Sequence, residues 1–351
     1  MPTFSSQKLT TFAEALFQAA GVPRDEAGRV AGSLVDANLC GHDSHGLIRI
    51  PQYLEAIGDG RLEPGAAFTV VKETAAVLVV DGGRGLGQVQ AHRLLDRLVP
   101  RAQALGLAAG TLKHCGHIGR LGEFAEAAAG QRMAFIGTVN GHGFGRGVAP
   151  PGGIQARIGT NPLCLGVPTD AAPIVLDIGT SVCAEGKVRV AFNKGKPVPP
   201  GWLLDEKGKE TTDPGVLYRE PRGSILPLGG PQAYKGFGIG LLLDMFAGGL
   251  SGAPCSRPDA PNLVANAVLF ILLDIAQFAG AGHFLQEVHA LSKSVRTCRR
   301  AEGASEILLP GDPERREKAH RLEAGIPLDD GTWNQLVKVA GGLKVAIPET
   351  I

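Results

Sequence analysis

Fifty of the 351 residues are glycine, about twice the usual roughly 7% share. They follow no three-residue period, which excludes a collagen-like helix. A chain so rich in glycine makes many tight turns and close backbone approaches, as phosphate-bearing ligands require. With 44% hydrophobic and 20% charged residues it can still bury a large core, and its length suits one large domain or two.

Charge excludes whole classes of function. Thirty-five Lys and Arg against 34 Asp and Glu leave a net charge of +1, which provides neither the basic footprint of a nucleic-acid binder nor a polybasic membrane patch. The N-terminus, MPTFSSQKLTTFAEALFQAAG, lacks the charged start and unbroken apolar run of a signal peptide. The most apolar later stretch, 265–279, is too short to span a bilayer and carries Asp274. Cys40, Cys115, Cys164, Cys183, Cys255 and Cys298 form no C-x-x-C pair and read as buried or incidental thiols of a reducing compartment. The expectation is a cytoplasmic protein with neither nucleic acid nor membrane as partner.

Periodicity predicts two N-terminal helices: Leu9, Phe12, Ala13, Leu16, Phe17 and Ala20 recur at helical spacing, and a second helix runs from Asp25 to Gly41. Two β-rich runs, 68–72 and 75–80, suggest a hairpin. Helices over 89–104 and 121–131 alternate with strands over 108–112 and 134–139, and further strands are expected at 163–167 and 174–178. The stretch 194–214 reads as loop, and 234–250 as a glycine-studded apolar helix. The mixture is α/β or α+β with a mixed sheet.

Four clusters invite chemistry. Val77 to Gly87 resembles a G-x-G-x-x-G dinucleotide loop, but Gln88 stands where the third glycine belongs and no acidic residue follows at the required distance; a tight strand-to-helix turn is the better reading. In the second, Ser44 capping a short helix would align His45, Arg49 and Tyr53 on one face. An imidazole beside a guanidinium can move a proton on a carbinol oxygen while the arginine grips a carboxylate, and the arginine charge favours the neutral base. The plain alternative is a satisfied loop histidine and a surface arginine. The third, Lys113 to Arg120, places His117 near a strand end. With His42, His45, His114 and His142 it raises a zinc reading, although the pairs are H-x-x-H and not H-E-x-x-H. In the fourth, Gly179, Thr180 and Ser181 end a strand where a helix start would turn free N–H groups and hydroxyls toward an anion, with Lys187 and Lys235 as phosphate partners, or would simply form a cap. No G-x-S-x-G elbow occurs, so acyl transfer has little support.

Taken together, SHGLIRIPQY (44–53), HIGRLGEFAE (117–126), GTNPLCLGVP (159–168), VLDIGTS (175–181), the VPPG loop (194–214), GSILPLGG (223–230), YKGFGIGLLLDMFAGGLSGA (234–253) and LLPGDPE with GIPLDDGTW (308–333) resemble the type 2 malate/L-lactate dehydrogenases. These are NAD(P)-dependent 2-hydroxyacid oxidoreductases, and the similarity is greatest to their hydroxycarboxylate dehydrogenase B branch. It covers nearly the whole chain in order.

The resemblance implies a non-Rossmann α/β fold, a mixed sheet with surrounding helices, behind an N-terminal helical segment. Its expected parts are 1–60, an α/β portion 61–112 packing with the C-terminal region, a cofactor-binding sheet domain 113–315, and a helical end 316–351. It implies a homodimer with NAD or NADP and a small 2-oxo or 2-hydroxy acid, and no metal. His45 becomes the proton donor and acceptor, with Ser44 beside it, Arg49 the carboxylate clamp and His117 a second active-site group. Cofactor contacts are carried onto His117, Ile118, Gly119, Gly179, Thr180, Ser181, Lys235, Asn266, Gly311, Asp312, Pro313 and Glu314. Reduction of a cyclic imine carboxylate on the same scaffold is the alternative, and a His-rich metal-dependent hydrolase or a dinucleotide-binding protein without turnover are readings of other classes.

Overall fold

The computed structural model describes residues 1–351 except Phe144, Pro261, Asn262 and Val264. The chain enters through a two-residue strand, β1 (Thr3–Phe4), which pairs with β12 (Ile326–Pro327) from the other end of the sequence. Ser5 then caps α1 (Ser6–Ala19) by accepting the Lys8 N–H, and Leu9, Phe12, Ala13, Leu16 and Phe17 are buried as their spacing predicts. Helix α2 (Arg24–Leu39) carries Asp25 and Glu26 in its first turn, where carboxylates complement the helix dipole. Helix α3 (Ile50–Gly58) follows, and these elements share one core with α10 (Asp330–Leu343) through Phe4, Phe17, Leu34, Ile50, Tyr53 and Leu336. The expected segments 1–60 and 316–351 are therefore packed together.

A seven-stranded sheet forms the body, in the order β2 (Thr69–Glu73), β3 (Val77–Gly85), β4 (Leu107–Cys115), β11 (Asn266–Asp274), β5 (Met133–Asn140), β6 (Leu163–Val167), β7 (Ile174–Ile178). Only β3 and β4 run parallel; every other pairing is antiparallel, which is not the parallel order of a Rossmann fold. Helices α4 (Gly87–Leu105) and α5 (Gly122–Gly130) cover one face, where Leu94, Leu98, Phe124, Phe135 and Phe270 interlock. The expected boundary at residue 112 falls inside β4, so 61–112 and 113–315 share this sheet. On the other face lie α7 (Tyr234–Asp244) and the π-turn Met245–Gly249 that prolongs it. There Ile136 and Leu165 remain exposed, as do Ile239, Leu242, Met245, Phe246 and Leu250 along the helix.

The segment read as loop, 194–214, contributes two short strands. β8 (Leu203–Leu204) and β9 (Glu210–Thr211) pair with each other, and β8 also pairs with β10 (Ser224–Ile225). This small sheet packs with α6 (Glu185–Asn193) around Val148, Ile158, Val188, Leu203 and Ile225. Helix α8 (Ala281–Arg296) buries none of its residues, and α9 (Asp312–Ala324) leads back to the N-terminal helices.

Candidate active site

The turn after α2 departs from the expected single helix. Two 3-10 turns, Asp43–His45 and Leu47–Arg49, precede α3, and Ser44 caps neither. Its Oγ instead meets Nδ1 of His45 at 3.0 Å. The turn is satisfied by Asn38, whose Oδ1 accepts the Leu47 N–H (2.8 Å) and whose Nδ2 donates to Asp43 (2.6 Å). From α9, Arg321 donates to Asp43 and to the Asn38 carbonyl. Gly46 is required here, because a Cβ would lie 2.1 Å from Asn38 Oδ1.

His117 arrives from β4. The Ile118 N–H donates to Asn266 Oδ1 (3.0 Å), and Asn266 Nδ2 donates to the Asn140 carbonyl (3.2 Å), so the first residue of β11 fastens this loop to the sheet. Arg120 ties its far side to Asp36 of α2 (2.8 Å) and Glu126 of α5 (2.8 Å). Beneath it α4 begins at Gly87, the last glycine of the rejected dinucleotide cluster, where a Cβ would come within 2.2 Å of the Gly116 carbonyl oxygen. The strand-to-helix turn is thus a close backbone crossing. It brings His45 and His117 together with their rings stacked at 5.4 Å between centroids.

Partial burial favours the neutral form of both imidazoles. It lowers the His45 pKa to about 3, with the Arg49 charge adding to the effect; burial, then Arg49 and His45, hold His117 well below the ordinary range. Arg49 donates from Nε to the Ser44 carbonyl (2.7 Å) and from Nη1 to Gln52 (3.0 Å). It forms no ion pair among the described residues, leaving a guanidinium edge for an incoming anion.

The residues assigned to the cofactor divide into two groups. Asn266 spends its amide on the backbone contacts above, and Asp312 is turned inward onto Arg296, Arg315 and the Leu309 N–H, an arrangement that lowers its pKa to about 2. The Thr180 N–H and hydroxyl go to the Thr160 carbonyl and the Ser181 hydroxyl to the Cys183 carbonyl. The Thr180 donors and the Ser181 hydroxyl are therefore occupied, and no helix starts beside them, because α6 begins only at Glu185. Gly179 and Lys235 are exposed. They lie along one path, since Leu228 donates to the Thr180 carbonyl and accepts from the Gly236 N–H. Gly311 opens α9 with a φ of 90°, Pro313 stands in its first turn, and Glu314 lies 3.4 Å from His42. The Pro310 carbonyl accepts the Val175 N–H of β7, and Asp177 of the same strand accepts the Gly122 N–H (2.7 Å). Strand β7 therefore links the segment after His117 to the start of α9.

Tyr53, Gln88, Asp36 and Arg120 belong to this framework; the sequence aligns Tyr53 with His45 and Arg49 and ends the His117 cluster at Arg120 but gives neither a role, and it points to no role for Gln88 or Asp36. A cavity of about 570 Å³ lies elsewhere, lined by Asp59, Arg61, Asp81, Gly83, Arg84 and His114 and by neither His45 nor His117. Among the described residues no three His, Cys, Asp or Glu side chains gather as metal ligands, and no helix is long and apolar enough to cross a membrane.

Residues 4–337 match the model of the malate/L-lactate dehydrogenase family. The chain belongs to that family. It is accordingly an oxidoreductase acting on the CH–OH group of a hydroxy acid. It is 36% identical to hydroxycarboxylate dehydrogenase B of Escherichia coli strain K12, across 99% of this chain and 95% of that protein. Among family folds, the sulfolactate dehydrogenase of Methanocaldococcus jannaschii superposes with a TM-score of 0.87 at 31% identity, covering 98% of each chain. The Δ1-piperideine-2-carboxylate reductase of Pseudomonas syringae pv. tomato gives 0.83 at 27% identity, covering 97% of this chain and all of that one.

Proposed function

We propose that the protein interconverts a 2-oxo acid and its 2-hydroxy acid with NAD or NADP, using the cleft between His45, His117 and Arg49. The observation that carries this reading is an arginine without an ion-pair partner among the described residues beside two stacked imidazoles. A bound nicotinamide would supply or accept the hydride. Arg49 holds the substrate carboxylate, His45 exchanges the proton of the substrate oxygen, and His117 orients that oxygen. Exposed Lys235 and the Gly179 backbone suit the cofactor's phosphates, and the Gly311–Glu314 turn packs against β7, the strand that leads to Gly179. The exposed apolar residues of α7 and of the sheet face beneath it suit a second copy of the chain, in line with a homodimer. Reduction of a cyclic imine carboxylate is the weaker fit, since the reductase is the more distant of the relatives compared.

Nicotinamide absorbance, followed with NADH and NADPH against 2-oxo acids from pyruvate and oxaloacetate to 2-oxoglutarate and aromatic pyruvates, tests the proposal. Oxidation of either cofactor supports it; silence with dinucleotide binding intact would transfer the assignment to imines. Arg49→Lys replaces a planar fork with a point charge, and the expected result is a KM for the acid raised about 10- to 100-fold, the worth of one charged hydrogen bond. An unchanged KM would remove Arg49 from the substrate.

The neutral imidazoles set the pH dependence. A base whose pKa is depressed stays competent as the solution is acidified through the ordinary histidine range. For hydroxy-acid oxidation, kcat/KM is expected to hold nearly level from pH 8 down to about 5.5, below the usual pKa of about 6.5. An acid limb centred near 6.5 would show that His45 is not held as described.

A further inference from the structure

We infer that Tyr53, steadied by Gln88, is a positioning residue that holds His117 in the tautomer carrying its hydrogen on Nε2, so that His117 offers the substrate oxygen a donor and leaves proton exchange to His45. The inference rests on the reading of this cleft given above and adds a division of labour between its two imidazoles.

The argument is an accounting of hydrogens. Gln88 Nε2 lies 3.1 Å from Tyr53 Oη and donates to it, so the single phenol hydrogen must go elsewhere. Two acceptors are within reach, His117 Nδ1 at 2.6 Å and the His117 carbonyl at 3.4 Å. The shorter separation lies below the usual N–H···O range and inside that of an O–H donor, which makes the phenol the donor and Nδ1 the acceptor. A neutral imidazole has one N–H, and with Nδ1 accepting it stands on Nε2. That atom makes no hydrogen bond among the described residues, and the ring is only partly covered.

Both members of the relay are buried. Tyr53 is 3% exposed and Gln88 is fully buried, so neither can touch substrate. Gln88 Oε1 is buried without a partner among the described residues, a cost that is tolerated when the amide is kept for its N–H. The contrast with His45 completes the case. Its Nδ1 faces the Ser44 hydroxyl, which rotates to donate or accept and so follows either tautomer. His45 can therefore gain and lose a proton at Nε2 through a cycle, whereas His117 is fixed.

The test is direct. Protein labelled with [15N]histidine is examined by long-range 1H–15N correlation, with the His117 signals assigned from their loss in His117→Asn. The expected wild-type pattern is a protonated Nε2 and a bare Nδ1; a protonated Nδ1 or an averaged pair overturns the inference. In Tyr53→Phe the pattern is expected to average and kcat to fall about 10-fold with KM changed less than about threefold, the worth of one lost hydrogen bond. An unchanged pattern or an unchanged kcat would reduce Tyr53 to packing. If that variant does not fold, Gln88→Met retains the phenol but frees its hydrogen, and the same averaging is expected. The spectrum needs no substrate, so a protein inactive on every 2-oxo acid would refute the proposed function and still decide the tautomer.

Discussion

His45→Ala is expected to lower kcat/KM for 2-oxo acid reduction by about 10²–10⁴-fold, the usual worth of a placed general acid or base. The imidazole has no substitute for this step. His117 is tied through Nδ1 to Tyr53, Arg49 cannot release a proton, and the Ser44 hydroxyl loses its partner with the ring. His45 lies on a 3-10 turn that contributes no residue to the buried core, so the variant should unfold at nearly the wild-type temperature and bind dinucleotide normally. Steady-state kinetics with the best acid of the panel check this. Retention of more than about a tenth of wild-type kcat/KM would assign the proton transfer to another group.

Gly87→Ala is the second large effect, and it acts through the backbone. The new methyl would stand 2.2 Å from the Gly116 carbonyl oxygen and 2.3 Å from that of His117, and neither atom is the end of a side chain that could swing away. The helix and the loop must separate, with an expected loss of about 3 kcal/mol, at the upper end of overpacking costs. The displaced loop carries His117, so activity should fall as well. Gly32→Ala is the control: nothing lies within 4 Å of its Cβ position, in the interior of α2, and a gain of about 0.5–1 kcal/mol is expected there. Urea midpoints of the two variants measure the difference. A Gly87→Ala protein within about 1 kcal/mol of wild type would mean that the crossing is looser than described.

The fold was legible where period and punctuation agree. The strands at 163–167 and 174–178 have the predicted bounds, and the hairpin and the first two helices are where spacing placed them. The central strand β11 was visible only as an apolar stretch, because a strand flanked on both sides has no polar alternation to display. β8, β9 and β10 are too short to show a period; α8 carries Phe284, Leu285, Val288, Leu291 and Val295 at helical spacing, a signal that the expected elements omit, and buries none of them. In the site, His45, Arg49 and His117 could be chosen from their chemistry. Arg120 could not, because its partners Asp36 and Glu126 are brought to it by tertiary packing. Gln88 is the sharpest case. In the sequence it counted only as the residue that spoils a glycine motif, while in the structure its amide supports Tyr53 under the active-site imidazole.

The pairing of β1 with β12, and the packing of α10 onto α1 and α3, has a consequence for biosynthesis. The loop bearing His45 is braced by Arg321, and the core behind it is completed by Leu336 and Ala340. A ribosome making about 5–20 residues per second needs roughly 15–50 s to pass from the first segment to these last ones. Through that interval α1 to α3 must wait with an unfinished apolar face, while the sheet can already assemble once β11 has emerged. The histidine pair is therefore a late product of translation.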